Sequence, residues 1–131
     1  MGEEFSGIWR CTHWYPSNEH LGDDFDEHEM RVHAEGKDII FESLPQEDGS
    51  YMFVRLTIED AIATGTWNES AAINGPYKGA QYSGAGQLVI SPDKTSMVGK
   101  WAGAGYDHKL KEMRIYTGNW EISRLDSDDH K

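Results

Sequence analysis

The sequence predicts an all-β protein: a single domain over residues 1–125 folded as an eight-stranded antiparallel up-and-down β-barrel. Three observations lead there. The phrase Gly-x-Trp occurs four times, at Gly7-Ile8-Trp9, Gly65-Thr66-Trp67, Gly99-Lys100-Trp101 and Gly118-Asn119-Trp120, and takes in every tryptophan except Trp14. Glycine is 14 of 131 residues, roughly one in ten, so four hits among five tryptophans exceed what composition supplies. Residues two apart share one face of a strand, so each phrase sets a gap and a large ring side by side, as on the concave face of a bent sheet. Second, aromatic and branched residues alternate at period two between clusters of Gly, Pro, Asn and Asp, and no long stretch carries a helical period. Third, the runs number eight with short connections. Consecutive antiparallel strands pair with their neighbours, and eight strands close around side chains or one small ligand while removing exposed edges.

The first strand is expected over 5–15, with Trp9, Cys11, His13 and Tyr15 on one face and Ile8, Arg10, Thr12 and Trp14 on the other; Pro16-Ser17-Asn18 stops it. Residues 17–27 hold Glu19, Asp23, Asp24, Asp26 and Glu27 and read as an acidic solvated loop, or as a lid over a barrel mouth. Their spacing does not fit a calcium-binding EF-hand loop. The second strand, 28–35, places Met30, Val32 and Ala34 opposite Glu29, Arg31 and His33, and Gly36-Lys37 is a tight turn. Strand three is 38–45. After the hairpin loop Glu47-Asp48-Gly49-Ser50, strand four is 51–59, with Met52, Val54, Leu56 and Ile58 facing one way. Strand five, 62–69, carries the second Gly-x-Trp phrase. A longer loop with Asn74-Gly75-Pro76 leads to strand six, 81–91, where Gly84 and Gly86 permit coiling. Strand seven is 96–104 and strand eight 112–124, and the polar tail 126–131 is expected to be disordered.

Twelve Lys and Arg against 23 Asp and Glu leave a net charge of −11. Phosphate binding needs a basic surface, so neither direct nucleic-acid contact nor an anionic membrane surface is expected. A single cysteine, Cys11, excludes an internal disulfide. With no basic-then-apolar leader, it points to the cytoplasm. No apolar run approaches the ~20 residues of a membrane-spanning helix.

A barrel end needs one plug, and Trp9 is the structural candidate. Trp67, Trp101 and Trp120 are then surplus, and they are candidates to line a ligand cavity. His13 and Tyr15 share the Trp9 face, and Glu69 shares the Trp67 face, so these polar groups would point into the same space. Glu69, if buried, needs a partner, for which Arg55 and Arg114 are available. Tyr77, Tyr82 and Tyr106, in or beside loops, could rim a pocket. The expected ligand-binding set is therefore His13, Tyr15, Trp67, Glu69, Tyr82, Trp101 and Trp120. Six histidines raise the question of a metal, but none pair at i,i+2 or i,i+4 and no second cysteine exists. The cross-strand pair His13 and His33 is the one combination that could meet, and no metal or cofactor is expected. No catalytic serine elbow, phosphate loop or paired catalytic histidine motif is present.

Gly7-Ile8-Trp9 together with Arg124 after the last strand resembles the calycin superfamily of lipocalin-like barrels. That resemblance implies that the first-strand tryptophan closes one barrel end while the late arginine stacks across it. A longer series is similar to a bacterial domain of unassigned ligand found in the C-terminal part of some actinobacterial helix-turn-helix regulators. It comprises Trp14-Tyr15-Pro16-Ser17, Glu42-Ser43-Leu44-Pro45, Ala63-Thr64-Gly65-Thr66-Trp67-Asn68-Glu69, Tyr77-Lys78-Gly79-Ala80-Gln81-Tyr82-Ser83-Gly84-Ala85, Gln87-Leu88, Gly99-Lys100-Trp101 and Tyr116-Thr117-Gly118-Asn119-Trp120-Glu121. It covers nearly the whole chain in order and implies a sensor or binding module. DNA-binding helices do not precede the match in this sequence, so a regulatory role would run through another polypeptide, or the sequence is a piece of a longer chain, or the stand-alone form does something else. The expectation is an intracellular small-molecule-binding barrel, sensor or carrier. One alternative is a barrel enzyme (cyclase, isomerase or hydrolase) using His13, Glu69 and Tyr15 as acid and base. The other is an interaction module whose acidic 19–29 segment meets a basic protein.

Overall fold

The computed structural model describes residues 3–16, 23–45, 49–70, 81–107 and 109–125. A 3₁₀ turn, Glu3–Phe5, precedes eight strands: β1 Gly7–Pro16, β2 Asp23–Glu35, β3 Asp38–Ser43, β4 Tyr51–Glu59, β5 Ile62–Ser70, β6 Gln81–Ile90, β7 Ser96–Asp107 and β8 Glu112–Arg124. Each pairs antiparallel with the next, and β8 returns to β1 through Trp9↔Arg124 to His13↔Trp120, so the sheet is a closed barrel. The tail 126–131, the expected disorder there and Tyr77 lie outside the described residues.

Six strands begin and end within a few residues of their expected bounds, and two differ. β7 runs three residues further, to Asp107, because Ala104 to Asp107 stay paired with Ile115 to Glu112. β2 starts five residues earlier, at Asp23. Its first five residues are poor in strand formers, but β1 supplies a full ladder opposite them, from Pro16↔Asp23 to Thr12↔Glu27. Cross-strand pairing decides strand formation more than intrinsic preference. The expected acidic loop or lid over 17–27 is therefore replaced by strand from Asp23, and residues 17–22 lie outside the described residues.

Strand direction gives the barrel two unlike ends. Two-residue connections at Gly36-Lys37 and Asp60-Ala61 and the turn 91–95 leave from one end. Gly36 has φ of +63°, which the turn needs and which glycine supplies without strain. This end is plugged. Phe5 packs 6.0 Å from Trp9, the Trp9 indole N–H donates to the Phe5 carbonyl (2.8 Å), and the Arg124 guanidinium lies 5.3 Å from the Trp9 ring centroid. Arg124 also donates to the backbone carbonyls of Glu4 and Ser6. At the opposite end β1, β3, β5 and β7 finish, at Pro16, Ser43, Ser70 and Asp107, and β2, β4, β6 and β8 begin.

Period-two alternation sends Trp9, Cys11, Met30, Phe41, Met52, Val54, Leu56, Leu88, Met97 and Ile122 inward, each no more than 1% exposed. Fully burying one such aliphatic or aromatic side chain is worth about 1.5–3 kcal/mol. These residues form the buried core of the lumen. The Gly-x-Trp phrases work across strands rather than within one. Trp67 pairs with Gly84, which pairs with Gly103; a Cβ on either glycine would sit 2.7 Å or 2.6 Å from the Trp67 ring. Trp101 likewise faces Gly118, where a Cβ would come within 2.6 Å of the indole nitrogen. Each indole lies flat over the glycines of its neighbours.

Candidate functional site

The sequence candidates converge at the end bearing the longer connections. β1 carries His13 and Tyr15 inward, β5 carries Trp67 and Glu69, and β7 carries Trp101. His13 sits in a corner made by two perpendicular indoles. Its ring is stacked on Trp67 (6.2 Å between centroids, 25°) and edge-on to Trp101 (5.8 Å, 83°), and Trp67 and Trp101 meet at 5.7 Å and 89°. Tyr15 lies 6.1 Å from His13. Tyr82 is the register partner of Glu69 and packs, half-buried, against the core. The side chain of Tyr106 lies outside the described residues.

Trp120 does not join this group. It is 1% exposed and sits one layer deeper, where its indole N–H donates to Cys11 Sγ at 3.0 Å. Burial pushes the Cys11 thiol up to about 12, against the lowering effect of the Trp120 N–H. Cys11 is therefore a packing residue with a sulfur acceptor, not a nucleophile.

The partners of Glu69 differ from those expected. Arg55 is on the outer wall, bonded to Asp38 (2.8 Å), and Arg114 is exposed. Glu69 instead spans two histidines. One carboxylate oxygen is 3.5 Å from His13 Nε2, and the other is 3.1 Å from His28 Nε2. His33, the partner expected for His13, points outward to Glu35; the odd-numbered residues of β2 face solvent. His28 takes its place, and Asp26, next on the same face, puts a carboxylate oxygen 3.9 Å from His13 Nε2. His28 is legible by counting back in twos from Met30 within the expected strand, and Asp26 only when the strand is extended through the acidic run.

The two carboxyls respond in opposite directions. Burial raises Glu69, but hydrogen bonds from His13 and His28, and their charge when protonated, outweigh it and bring the group down to about 2. Burial raises Asp26, and the neighbouring Glu69 raises it further against a partial lowering by His13. Three polar atoms around this cluster are buried with no hydrogen-bond partner among the described residues: Trp67 Nε1, His13 Nδ1 and His28 Nδ1. The Trp101 indole N–H, by contrast, reaches the Trp14 carbonyl at 2.8 Å through the opening left by Gly118.

Two clefts lined by described residues, of about 300 Å³ and about 310 Å³, lie on the outer wall beside Trp14 rather than in the lumen. Between them they involve Arg10, Phe25, Glu27, Val98 and Glu121. Among the described residues no helix is long and apolar enough to cross a membrane. Chemically, the inward cluster offers two imidazoles, two carboxyls and an indole N–H framed by aromatic faces. That set can bind a polar planar molecule, exchange protons, or hold a cation. Comparison of the chain with protein-family models and with curated proteins finds no match.

Proposed function

We propose that this protein is a small-molecule-binding barrel, a sensor or carrier of calycin-like type acting in the cytoplasm, whose ligand enters at the end opposite the Trp9 plug. The observation that supports the reading is the set of buried, unpartnered donors and acceptors beside Trp67: its own Nε1 and the Nδ1 atoms of His13 and His28. Buried polar groups are nearly always hydrogen-bonded, and leaving one unpaired costs about 1–3 kcal/mol. A partner from outside the chain would recover that cost. Binding sites of this type combine aromatic walls with a few placed polar atoms. The walls here are Trp67 and Trp101, flanked by Tyr15 and Tyr82. The ligand class that fits is a small aromatic or amphipathic molecule bearing hydrogen-bonding groups.

A fluorescence and melting screen of aromatic acids, phenols and heteroaromatic amides tests the reading. A binder should quench tryptophan emission and raise the melting temperature, since a ligand at 100 times its Kd adds about 2.7 kcal/mol. Trp67→Phe should weaken it, and Trp9→Phe should leave its affinity unchanged. If no member alters either signal at saturating concentration, the binding-barrel reading fails.

A further inference from the structure

The His13, Asp26 and Glu69 side chains come from three strands, β1, β2 and β5. Each presents one ligand-capable atom, and those atoms lie within 4.8 Å of one another. His13 Nε2 is 3.5 Å from Glu69 and 3.9 Å from Asp26. In a tetrahedral zinc site with metal–ligand bonds of about 2.0–2.2 Å, neighbouring donor atoms are about 3.3 Å apart. The two distances from His13 Nε2 exceed that edge by about 0.2 Å and about 0.6 Å, and the Asp26 and Glu69 donors are no more than 4.8 Å apart, so small side-chain movements bring the three onto such a tetrahedron. His28 holds the second oxygen of Glu69 at 3.1 Å, as the outer partner of a metal-bound carboxylate does.

Charge points the same way. Two carboxylates converge on one spot, and among the described residues neither forms an ion pair with a lysine or arginine; the ion pairs of both are with histidine. The Glu69 and His13 side chains are only 10% and 8% exposed. Partly desolvated like charges that face each other disfavour one another's ionised form, and a bound cation relieves that repulsion as a proton does.

We propose that His13, Asp26 and Glu69 bind one divalent transition-metal ion, with His28 fixing Glu69 and the fourth position left for water or ligand. One imidazole and two carboxylates suit zinc, cobalt, manganese or ferrous ion. An all-oxygen set would suit calcium or magnesium better. Cys11 is not a ligand, since its sulfur accepts from Trp120 one layer deeper. Three protein ligands with one position open characterise sites that act on a bound molecule rather than purely structural ones. The inference stands apart from the small-molecule reading, because metal binding is measured without any organic ligand.

The test is titration of EDTA-treated protein with Co²⁺, followed by visible absorption, and with Zn²⁺ in competition with a chromophoric chelator. One equivalent of Co²⁺ should bind with the intense visible bands of a four- or five-coordinate ion. Glu69→Gln and Asp26→Asn should each weaken Zn²⁺ by at least about 100-fold. His28→Gln should weaken it by about 10–100-fold, the usual cost of an outer partner. His33→Gln, on the outer wall, should leave affinity unchanged. Asp26 is half exposed, so Asp26→Asn tests the site without threatening the fold, as circular dichroism will verify. Absence of stoichiometric binding to the wild type would overturn the proposal. So would an Asp26→Asn protein that is folded and binds Zn²⁺ as the wild type does. Running the fluorescence screen in EDTA separates failure of the metal site from failure of the small-molecule reading.

Discussion

At one end of the barrel the Trp9 indole is fully buried, its N–H bonded to Phe5 and its face covered by Arg124. At the other end Trp67 is nearly as buried, at 5% exposed, yet its N–H has no partner among the described residues and its face is shared with a histidine. Both belong to the same Gly-x-Trp phrase. What separates them is the company each keeps. The Trp9 layer is satisfied from its own chain by backbone carbonyls and apolar rings. The Trp67 layer gathers His13, His28, Asp26 and Glu69. A residue pattern can thus set the position of a ring in a barrel without setting its role, which follows from whether neighbouring strands complete its hydrogen bonds.

The largest effect should come from breaking the plugged end. Trp9→Ala removes a fully buried indole, its hydrogen bond and the surface on which Arg124 rests. Loss of a buried Trp or Phe side chain typically costs about 3–5 kcal/mol, readable by urea denaturation. The cluster lies at the other end of the barrel, and His13, which shares β1 with Trp9, is held there by its contacts with Trp67 and Trp101, so Zn²⁺ affinity measured below the melting transition should stay close to wild type.

Next is the glycine platform beneath Trp67. A Cβ at Gly103 would lie 2.6 Å from the ring and 3.1 Å from the Ser83 carbonyl. Gly103→Ala must therefore push the indole off its seat. Overpacking of this kind costs about 1–3 kcal/mol. Because Trp67 stacks on His13, the same change should shift the tryptophan emission and disturb the cluster. A stability loss with unchanged emission would place the strain in the backbone and weaken the view that these glycines exist to seat the rings.

These two ends differ in how far the sequence discloses them. The period-two runs of β4 and the Gly-x-Trp phrases of β5, β7 and β8 are local signals, and they define strand count, closure and the inward face. The stacking of Arg124 on Trp9 is an expectation carried by the resemblance of Gly7-Ile8-Trp9 and Arg124 to lipocalin-like barrels, and the structure shows that contact. The His–carboxylate cluster was half readable: His13 and Glu69 follow from parity with Trp9 and Trp67. Asp26 was hidden because Asp23 to Glu27 look like a solvated loop, and only the β1 ladder makes them strand; His28 opens the expected second strand with the parity of Met30, but nothing in the sequence joins it to Glu69. Their convergence with Glu69 depends on barrel closure, which brings β2 and β5 together across the lumen. No spacing within the chain encodes that. Trp120 shows the converse limit, since parity places it inside but cannot tell the Cys11 layer from the His13 layer.

Glu69→Gln should have the next effect. It leaves His13 and His28 facing an amide, and an impaired charged hydrogen-bond network costs about 1–3 kcal/mol. The Glu69 carboxyl drops from 4.5 unfolded to about 2 folded. Its contribution is therefore present above pH 4.5 and lost as pH falls towards 2. Urea midpoints measured across this window should fall steeply for wild type and more gently for Glu69→Gln. Parallel acid limbs would show that Glu69 is not the group whose protonation weakens the fold.

Asp26→Asn should produce the smallest change, with the opposite sign. The Asp26 carboxyl is raised in the fold by burial and by Glu69, so the native state holds its proton more tightly than the unfolded chain does. Its favourable contribution is present below the unfolded value of 3.8 and lost as pH rises through the higher folded value. Above the unfolded value this difference in proton binding works against folding of the metal-free protein, and asparagine removes it. Asp26 is half exposed, and solvent screening limits the gain to less than about 1 kcal/mol. Denaturation of EDTA-treated protein at pH 7 should show Asp26→Asn slightly more stable than wild type, and added Zn²⁺ should reverse the order, because only wild type gains from binding. A carboxylate that weakens the empty fold and strengthens the occupied one is retained for what it holds. If Asp26→Asn is less stable than wild type in EDTA, the repulsion between Asp26 and Glu69 is not felt in the native state, and the contrast between a satisfied end and an unsatisfied one loses its energetic basis.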